Sequence, residues 1–392
     1  MTVKIAYFVH DLSDPAVHRR VRMLSAGGAA VTPIGFRRCA APVEAVEGRR
    51  AIDLGRTSDG MLASRALSLA GALTRLDRLG GAVRGSNAIV ARNLEMLFLA
   101  ARARKLHAPD AALVYECLDI HRMLLSKRLK SSLLRLFESG LWHDVDLLLT
   151  SSPAFIRNYF EPRQFPSPIR LVENKVLVIS GEHDRDPGPR PPPGPPWRIG
   201  WFGMIRCRES LRILSALARQ ADGSVEIVIR GRPSAAVFPD FEAAIAKLPH
   251  VRFGGTYRNP DDLPAIYGDV HLTWAIDYYE AGENSSWLLP NRIYEGSVHG
   301  AVPIALSGVE TGRWLTKHGA GVVLDEPLEE NLVAFLGSLD ACSYTRLASQ
   351  IEALPRADLV DDQADCRALV AAICGDVTAD RDHHLAFAEV GA

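Results

Sequence analysis

The run DPGPRPPPGPP, residues 186–196, constrains this chain most. Proline fixes φ and removes a backbone donor, so the run is neither a helix interior nor a central strand. It reads as a stiff, extended linker. On each side the same alternation occurs. Before it, apolar strand-like runs cover 4–9, 31–36, 88–90, 112–115, 147–150 and 170–172, with helical spacing over 94–106 and 131–141. Asp14-Pro15 has the form of an N-cap followed by proline at the first helical position, and Gly27-Gly28 stop that helix. After the linker, strands are predicted at 198–202, 225–229, 251–253, 271–275 and 302–305, with helices at 209–219 and 241–247. Strand–helix alternation favours parallel sheets covered on both faces. The expected fold class is α/β, with two doubly wound Rossmann-like domains facing a cleft. Residues 1–185 and 197–355 form the domains, and residues 356–392 are expected to pack back on the first. The final stretch, DRDHHLAFAEVGA, reads as a loose tail.

Composition narrows the function classes. The net charge of -1 gives no support to a nucleic-acid partner. Six cysteines are scattered without a CxxC pair or zinc-like spacing, which fits a reducing compartment. The N-terminus MTVKIAYFVHDL lacks the parts of a signal peptide, and no apolar run is long enough to span a bilayer. The expected location is cytoplasmic, with attachment at the inner face of a membrane left open. Lys127, Arg128, Lys130 and Arg135 interleave with leucines at 124, 125, 129, 133, 134 and 136, a pattern shared by interfacial helices and by ordinary half-buried ones.

Ligands in such sheets sit beyond the carboxyl ends of the strands, so the polar residues there are the candidates. In WRIGWFGMIRCRES, Gly203 lets backbone approach a ligand, a helix N-terminus follows, and Arg206 and Arg208 add positive charge suited to a phosphate. The plainer reading is a tight turn with solvated arginines. Arg230 ends a similar strand. In ENSSWLLPNRIYEG, Asn291 and Glu295 share a helix face, and a carboxylate there can accept from vicinal hydroxyls. Alternatively Glu295 only complements the helix dipole. Arg292 suits a phosphate or carboxylate. In the first half, His10, Asp11 and Asp14 follow the first strand. Glu116, Asp119 and His121 are read as following another, where Asp119 or Asp14 can accept a proton and His121 can donate to a sugar hydroxyl. For Asp14, helix capping is the stronger reading.

The segments SDPAVHRRVRMLSAGGAAVTPIGF, VARNLEMLFLAARARKL, LVYECLDIHRM, LVENKVL, WRIGWFGMIR and LPNRIYEGSVHGAVPIAL occur in an order that resembles the GT-B glycosyltransferases. They are most similar to the family 4 retaining enzymes of exopolysaccharide synthesis. The resemblance implies a UDP- or GDP-linked sugar donor held by the second domain and a lipid-linked or oligosaccharide acceptor entering the first near His10, Asp11 and Asp14. It implies donor contacts from Gly203, Arg206, Arg230, Tyr257, Asn284, Asn291, Arg292 and Glu295, with Glu295 on the ribose. Catalytic positions would be His121, Asp119 and Glu283. No cofactor or metal is required. The chain departs from the family in one place: Trp287 stands where a second, sugar-contacting glutamate is common, so either Glu283 or Asn284 takes that role from a shifted loop or the sugar contact differs. A nucleotide-sugar epimerase or hydrolase, or an inactive nucleotide-sugar-binding subunit, would share this frame. A dinucleotide oxidoreductase is disfavoured because no GxGxxG follows a strand.

Overall fold

The computed structural model describes residues 2–57, 62–126, 128–179 and 190–375. Lys127, the first part of the expected linker and the expected C-terminal tail lie outside the described residues.

The first sheet has seven strands: β1 (Lys4–Val9), β2 (Ala30–Arg37), β3 (Ile52–Arg56), β4 (Ala88–Arg92), β5 (Ala112–Cys117), β6 (Leu147–Thr150) and β7 (Ile169–Leu171). Their order is β3-β2-β1-β4-β5-β6-β7, with every pairing parallel. The second has six: β8 (Trp197–Ile205), β9 (Val225–Pro233), β10 (Val251–Phe253), β11 (Leu272–Trp274), β12 (Val302–Leu306) and β13 (Val322–Leu324). Their order is β10-β9-β8-β11-β12-β13, again all parallel. In both sheets the winding reverses beside the first strand, between β1 and β4 and between β8 and β11. A crevice opens at such a point, beyond the carboxyl ends of the strands.

The cores follow from the strand sequences. In β1 the run from Ile5 to Val9 is fully buried, its side chains divided between apolar clusters on the two sheet faces. The helices contributing to the argument below are α1 (Pro15–Ala26), α2 (Leu94–His107), α3 (Leu129–Trp142), α4 (Arg208–Gln220), α5 (Asn291–Val298) and α6 (Gln363–Ile373). Helix α6 lies against α1, with Cys366, Leu369 and Val370 in one cluster with Val17 and Val21. Gly27 makes this possible, because a Cβ there would stand 2.3 Å from the Cys366 carbonyl oxygen. The return crossing is pinned where Val176–Leu177 pairs parallel with Val360–Asp361, and where Arg19 Nη2 donates to Asp361 Oδ2 at 2.7 Å.

Several expectations need correction. Strands β3 and β13 carry no strong sequence signal and were not predicted. Strands β8 and β9 do not stop at their glycines. Gly203 pairs with Gly231 inside the ladder, both at positive φ, and a Cβ on Gly231 would lie 1.9 Å from the Gly203 carbonyl oxygen. These glycines permit two backbones to touch, so Gly203 and Arg230 sit within strands rather than in the following loops. Glu116 is likewise a residue of β5 and fully buried, not part of a loop facing the cleft. The end of the expected linker is not a free spacer: Arg190 pairs with Glu352 at 2.5 Å, and His271 Nε2 lies 3.1 Å from the Pro192 carbonyl oxygen.

Candidate active site

Helix α5 begins after Pro290, whose extended backbone lets the chain turn from loop to helix. Its first residue, Asn291, is exposed, while Glu295 one turn later is buried. The Glu295 carboxylate accepts from Asn259 Nδ2 at 2.8 Å and from Tyr267 OH at 2.9 Å. Burial raises its pKa above the usual carboxylate range, with the two hydrogen bonds and Arg292 acting against the rise. A carboxylate has about four acceptor positions, so two donors leave capacity for a ligand's hydroxyls. Arg292 is half-buried, and its Nη1 donates to the Phe202 carbonyl oxygen at 3.4 Å, beside Gly203. Tyr257 is also half-buried; burial first and the Glu295 charge second raise its phenol pKa, while Arg292 and Arg230 oppose them. Arg230 donates to the carbonyls of Gly255 and Thr256 at 3.3 and 3.1 Å, fixing the loop that carries Tyr257. Glu295, Arg292, Tyr257, Arg230 and Gly203 therefore form one group at the carboxyl edge of the second sheet.

Arg206 extends this group toward the first domain. Its guanidinium lies 4.6 Å from the centroid of the exposed Tyr279 ring. Helix α4 opens just beyond, capped by Cys207, whose Sγ accepts from Ser210 N at 3.3 Å.

Across the cleft, Asp119 follows β5 and keeps solvent access although protein crowds it. That crowding raises its pKa. A hydrogen bond from Asn284 and the charges of Arg206 and Arg92 lower it, and Glu280 raises it. Asn284 bridges the two halves: Nδ2 donates to Asp119 Oδ1 and Oδ1 accepts from Ile120 N, both at 3.3 Å. Glu283 beside it is half-buried at the start of the short helix Asn284–Trp287. Trp287 packs against the apolar core of the first domain, and its carbonyl accepts from the Ser152 hydroxyl. His121 is exposed; its Nδ1 accepts from Met123 N at 3.2 Å, capping the one-turn helix Arg122–Leu125.

At the end of β1, Asp14 caps α1 by accepting from Ala16 N at 2.9 Å. Its other oxygen lies 3.5 Å from His10 Nε2. Burial lowers the His10 pKa, with Arg92 and Arg38 lowering it further against the pull of Asp14 and Asp11. Asp11 holds its own loop, accepting from Ser13 N at 3.0 Å, Ser13 Oγ at 2.6 Å and Arg38 N at 3.2 Å.

Sequence reasoning missed what lies beneath this site. Glu116 accepts from Arg20 Nε at 2.5 Å, Arg92 Nε at 2.7 Å and Tyr7 OH at 2.5 Å. Burial alone would raise its pKa, but the two arginines bring it down to about 2. The signals were Arg20 inside an amphipathic helix and Arg92 at the end of a buried strand. Asn259 and Tyr267, the partners of Glu295, were missed as well.

The comparisons agree with this architecture. No family model matches the chain. The succinoglycan biosynthesis protein ExoL of Rhizobium meliloti strain 1021 is 48% identical over 372 residues, covering 94% of this chain and 92% of that protein. Among solved structures, sucrose-phosphate synthase from Thermosynechococcus elongatus aligns with a TM-score of 0.66 at 13% identity, covering 96% of this chain and 99% of the other. Anabaena HepE in complex with UDP-glucose aligns with a TM-score of 0.65 at 14% identity, covering 95% and 99%.

Proposed function

The chain belongs to the family of the succinoglycan biosynthesis protein ExoL, and from that premise we propose how this glycosyltransferase of polysaccharide biosynthesis works. The donor is a nucleotide-diphosphate sugar, UDP- or GDP-linked. UDP is favoured because HepE, a neighbour in fold, is seen with UDP-glucose. The acceptor is a lipid-linked or oligosaccharide hydroxyl at the inner face of the membrane, and the sugar moved is a hexose.

The observation that carries this reading is the state of Glu295. It is buried and held by two neutral donors, with accepting capacity left over. Two vicinal hydroxyls of a ribose match that vacancy in number and chemistry. The base then lies along Tyr257 and Arg230. The diphosphate lies along Gly203, Arg206, Arg292 and the N-terminus of α4, whose amides and cations favour the charge that grows on the departing group. The sugar projects toward Asn284, Glu283 and His121. The bond from the anomeric carbon to the diphosphate breaks, the acceptor oxygen bonds to that carbon, and the acceptor proton passes to Asp119. A raised pKa suits Asp119 to that proton. His10 and Asp14 line the acceptor side. Retention is the proposed stereochemistry, with the acceptor oxygen arriving on the face from which the diphosphate departs, and it is read from the product's anomeric configuration. Holding both substrates in one cleft supplies the larger part of the rate gain.

Calorimetric titration with UDP tests the assignment. A hydrogen-bonded charged group is worth about 1.5–3 kcal/mol, so Glu295→Ala should weaken UDP binding roughly 10- to 100-fold. Equal affinity in variant and wild type would overturn the role given to Glu295.

A further inference from the structure

Helix α3 has a buried face and an outward apolar one. One is internal: Ser131, Glu138 and Trp142 are buried, with Glu138 accepting from Tyr115 OH at 3.0 Å and from Tyr159 OH. The other points outward. Leu129 is 83% exposed, Leu133 64%, Leu136 71% and Phe137 44%. Their spacing of i, i+4, i+7 and i+8 puts them in one stripe, roughly opposite the buried face. The stripe meets α2 where Phe98 packs edge-on against Phe137 at 5.3 Å. Four of the seven large hydrophobic side chains exposed among the described residues lie on this stripe of α3.

Charge selects the occupant. Exposed Arg128 and Lys130 stand at the start of α3, and exposed Arg102 and Lys105 lie along α2. The single acidic residue of α3, Glu138, points inward. The outward surface of α3 therefore offers leucines, serines and cations, and no carboxylate, in a chain whose net charge is -1. Arg135 holds the preceding turn rigid by donating to the Leu124 and Ser126 carbonyls at 2.9 and 2.7 Å. Among the described residues, no helix is long and apolar enough to cross a membrane. An apolar stripe edged by cations lies in the plane of a bilayer, with its leucines at the acyl boundary and its cations among anionic headgroups.

We propose that the outer face of α3 docks this enzyme on an anionic lipid bilayer. The inference deepens the reading of the chain as a transferase serving a membrane-borne acceptor, because the docking helix belongs to the acceptor-side domain. A lipid-linked acceptor would then reach the cleft by moving within the bilayer plane.

The test is co-sedimentation of the full chain with vesicles of phosphatidylcholine, alone or mixed with phosphatidylglycerol. Wild type should bind the mixed vesicles, less at high salt, and should bind the neutral ones poorly. The double variant Leu133→Gln/Leu136→Gln, which alters only exposed positions, should lose binding about tenfold or more while keeping its affinity for UDP in solution. Failure of wild type to bind anionic vesicles, or equal binding by the double variant, overturns the proposal. A wild type that dimerises in solution through this face, with a monomeric double variant, overturns it in favour of a second copy of the chain. UDP titration reads the donor assignment separately, so either idea can fail without the other.

Discussion

Two buried carboxylates, one in each domain, sit beneath the carboxyl ends of their sheets and are held in opposite ways. Glu116 is enclosed by two guanidiniums and a phenol. Glu295 is enclosed by a carboxamide and a phenol, with Arg292 acting only at longer range. In the first, cations overcome desolvation and the pKa falls to about 2; in the second, desolvation wins and the pKa rises. Glu116 is the centre of a closed cluster, its charge more than balanced, tying β1, β4, β5 and α1 together. Glu295 has been desolvated without being neutralised, and a ligand's hydroxyls would complete it.

The largest effect should come from breaking the closed cluster. Glu116→Gln leaves two arginines buried without a counter-charge, which costs about 3–5 kcal/mol, measured by urea unfolding at neutral pH. Its folded pKa is depressed below the ordinary value of about 4.3. The contribution of Glu116 is thus complete above that ordinary value and is lost as pH falls toward about 2. The wild type should lose stability across that window, and the variant should lose less.

For Glu295 the sign reverses. A raised carboxylate pKa gives its best contribution to stability below the ordinary value, and this declines as pH rises toward the folded pKa. Relative to wild type, Glu295→Gln should therefore gain stability as pH rises above the ordinary carboxylate value of about 4.3, followed by thermal unfolding across buffers. A flat difference would mean that this carboxylate is not desolvated as described.

The smallest effect sharpens the comparison through its phenols. Tyr7→Phe removes one of three donors to Glu116 and should cost about 1 kcal/mol of stability without altering UDP affinity. Tyr267→Phe removes one of two donors to Glu295 and should weaken UDP binding several-fold. Equal effects on UDP affinity would mean that the two sites do not differ in kind.

The fold was legible because its central strands are buried on both faces, so runs such as KIAYFV and VEIVI stand out. The edge strand IDLGR was not, since its half-exposed residues mix charge and glycine. The strand ends at Gly203 and Gly231 were misplaced because glycine usually marks a turn, whereas here it lets two backbones meet. Glu295 could be singled out by its place on a short helix, but its partners lie 36 and 28 residues earlier, and no local pattern links them. Glu116 was taken for a loop residue because an isolated glutamate in a strand looks unpayable, and its arginines come from 96 and 24 residues away.

Trp287 bears on how the cleft can move. Its half-buried indole packs against the core of the opposite domain, its carbonyl is held by Ser152, and Asn284 three residues before it binds Asp119. Rocking the halves apart at this point would require withdrawing a large aromatic surface into water, at a cost of a few kcal/mol (about 25 cal/mol for each Å²). A hinge motion conserving these contacts must turn about the Asn284–Trp287 segment as a fulcrum. The Asn284–Trp287 segment would then travel with the first domain, while Glu295 and its partners swing on the other side of the pivot.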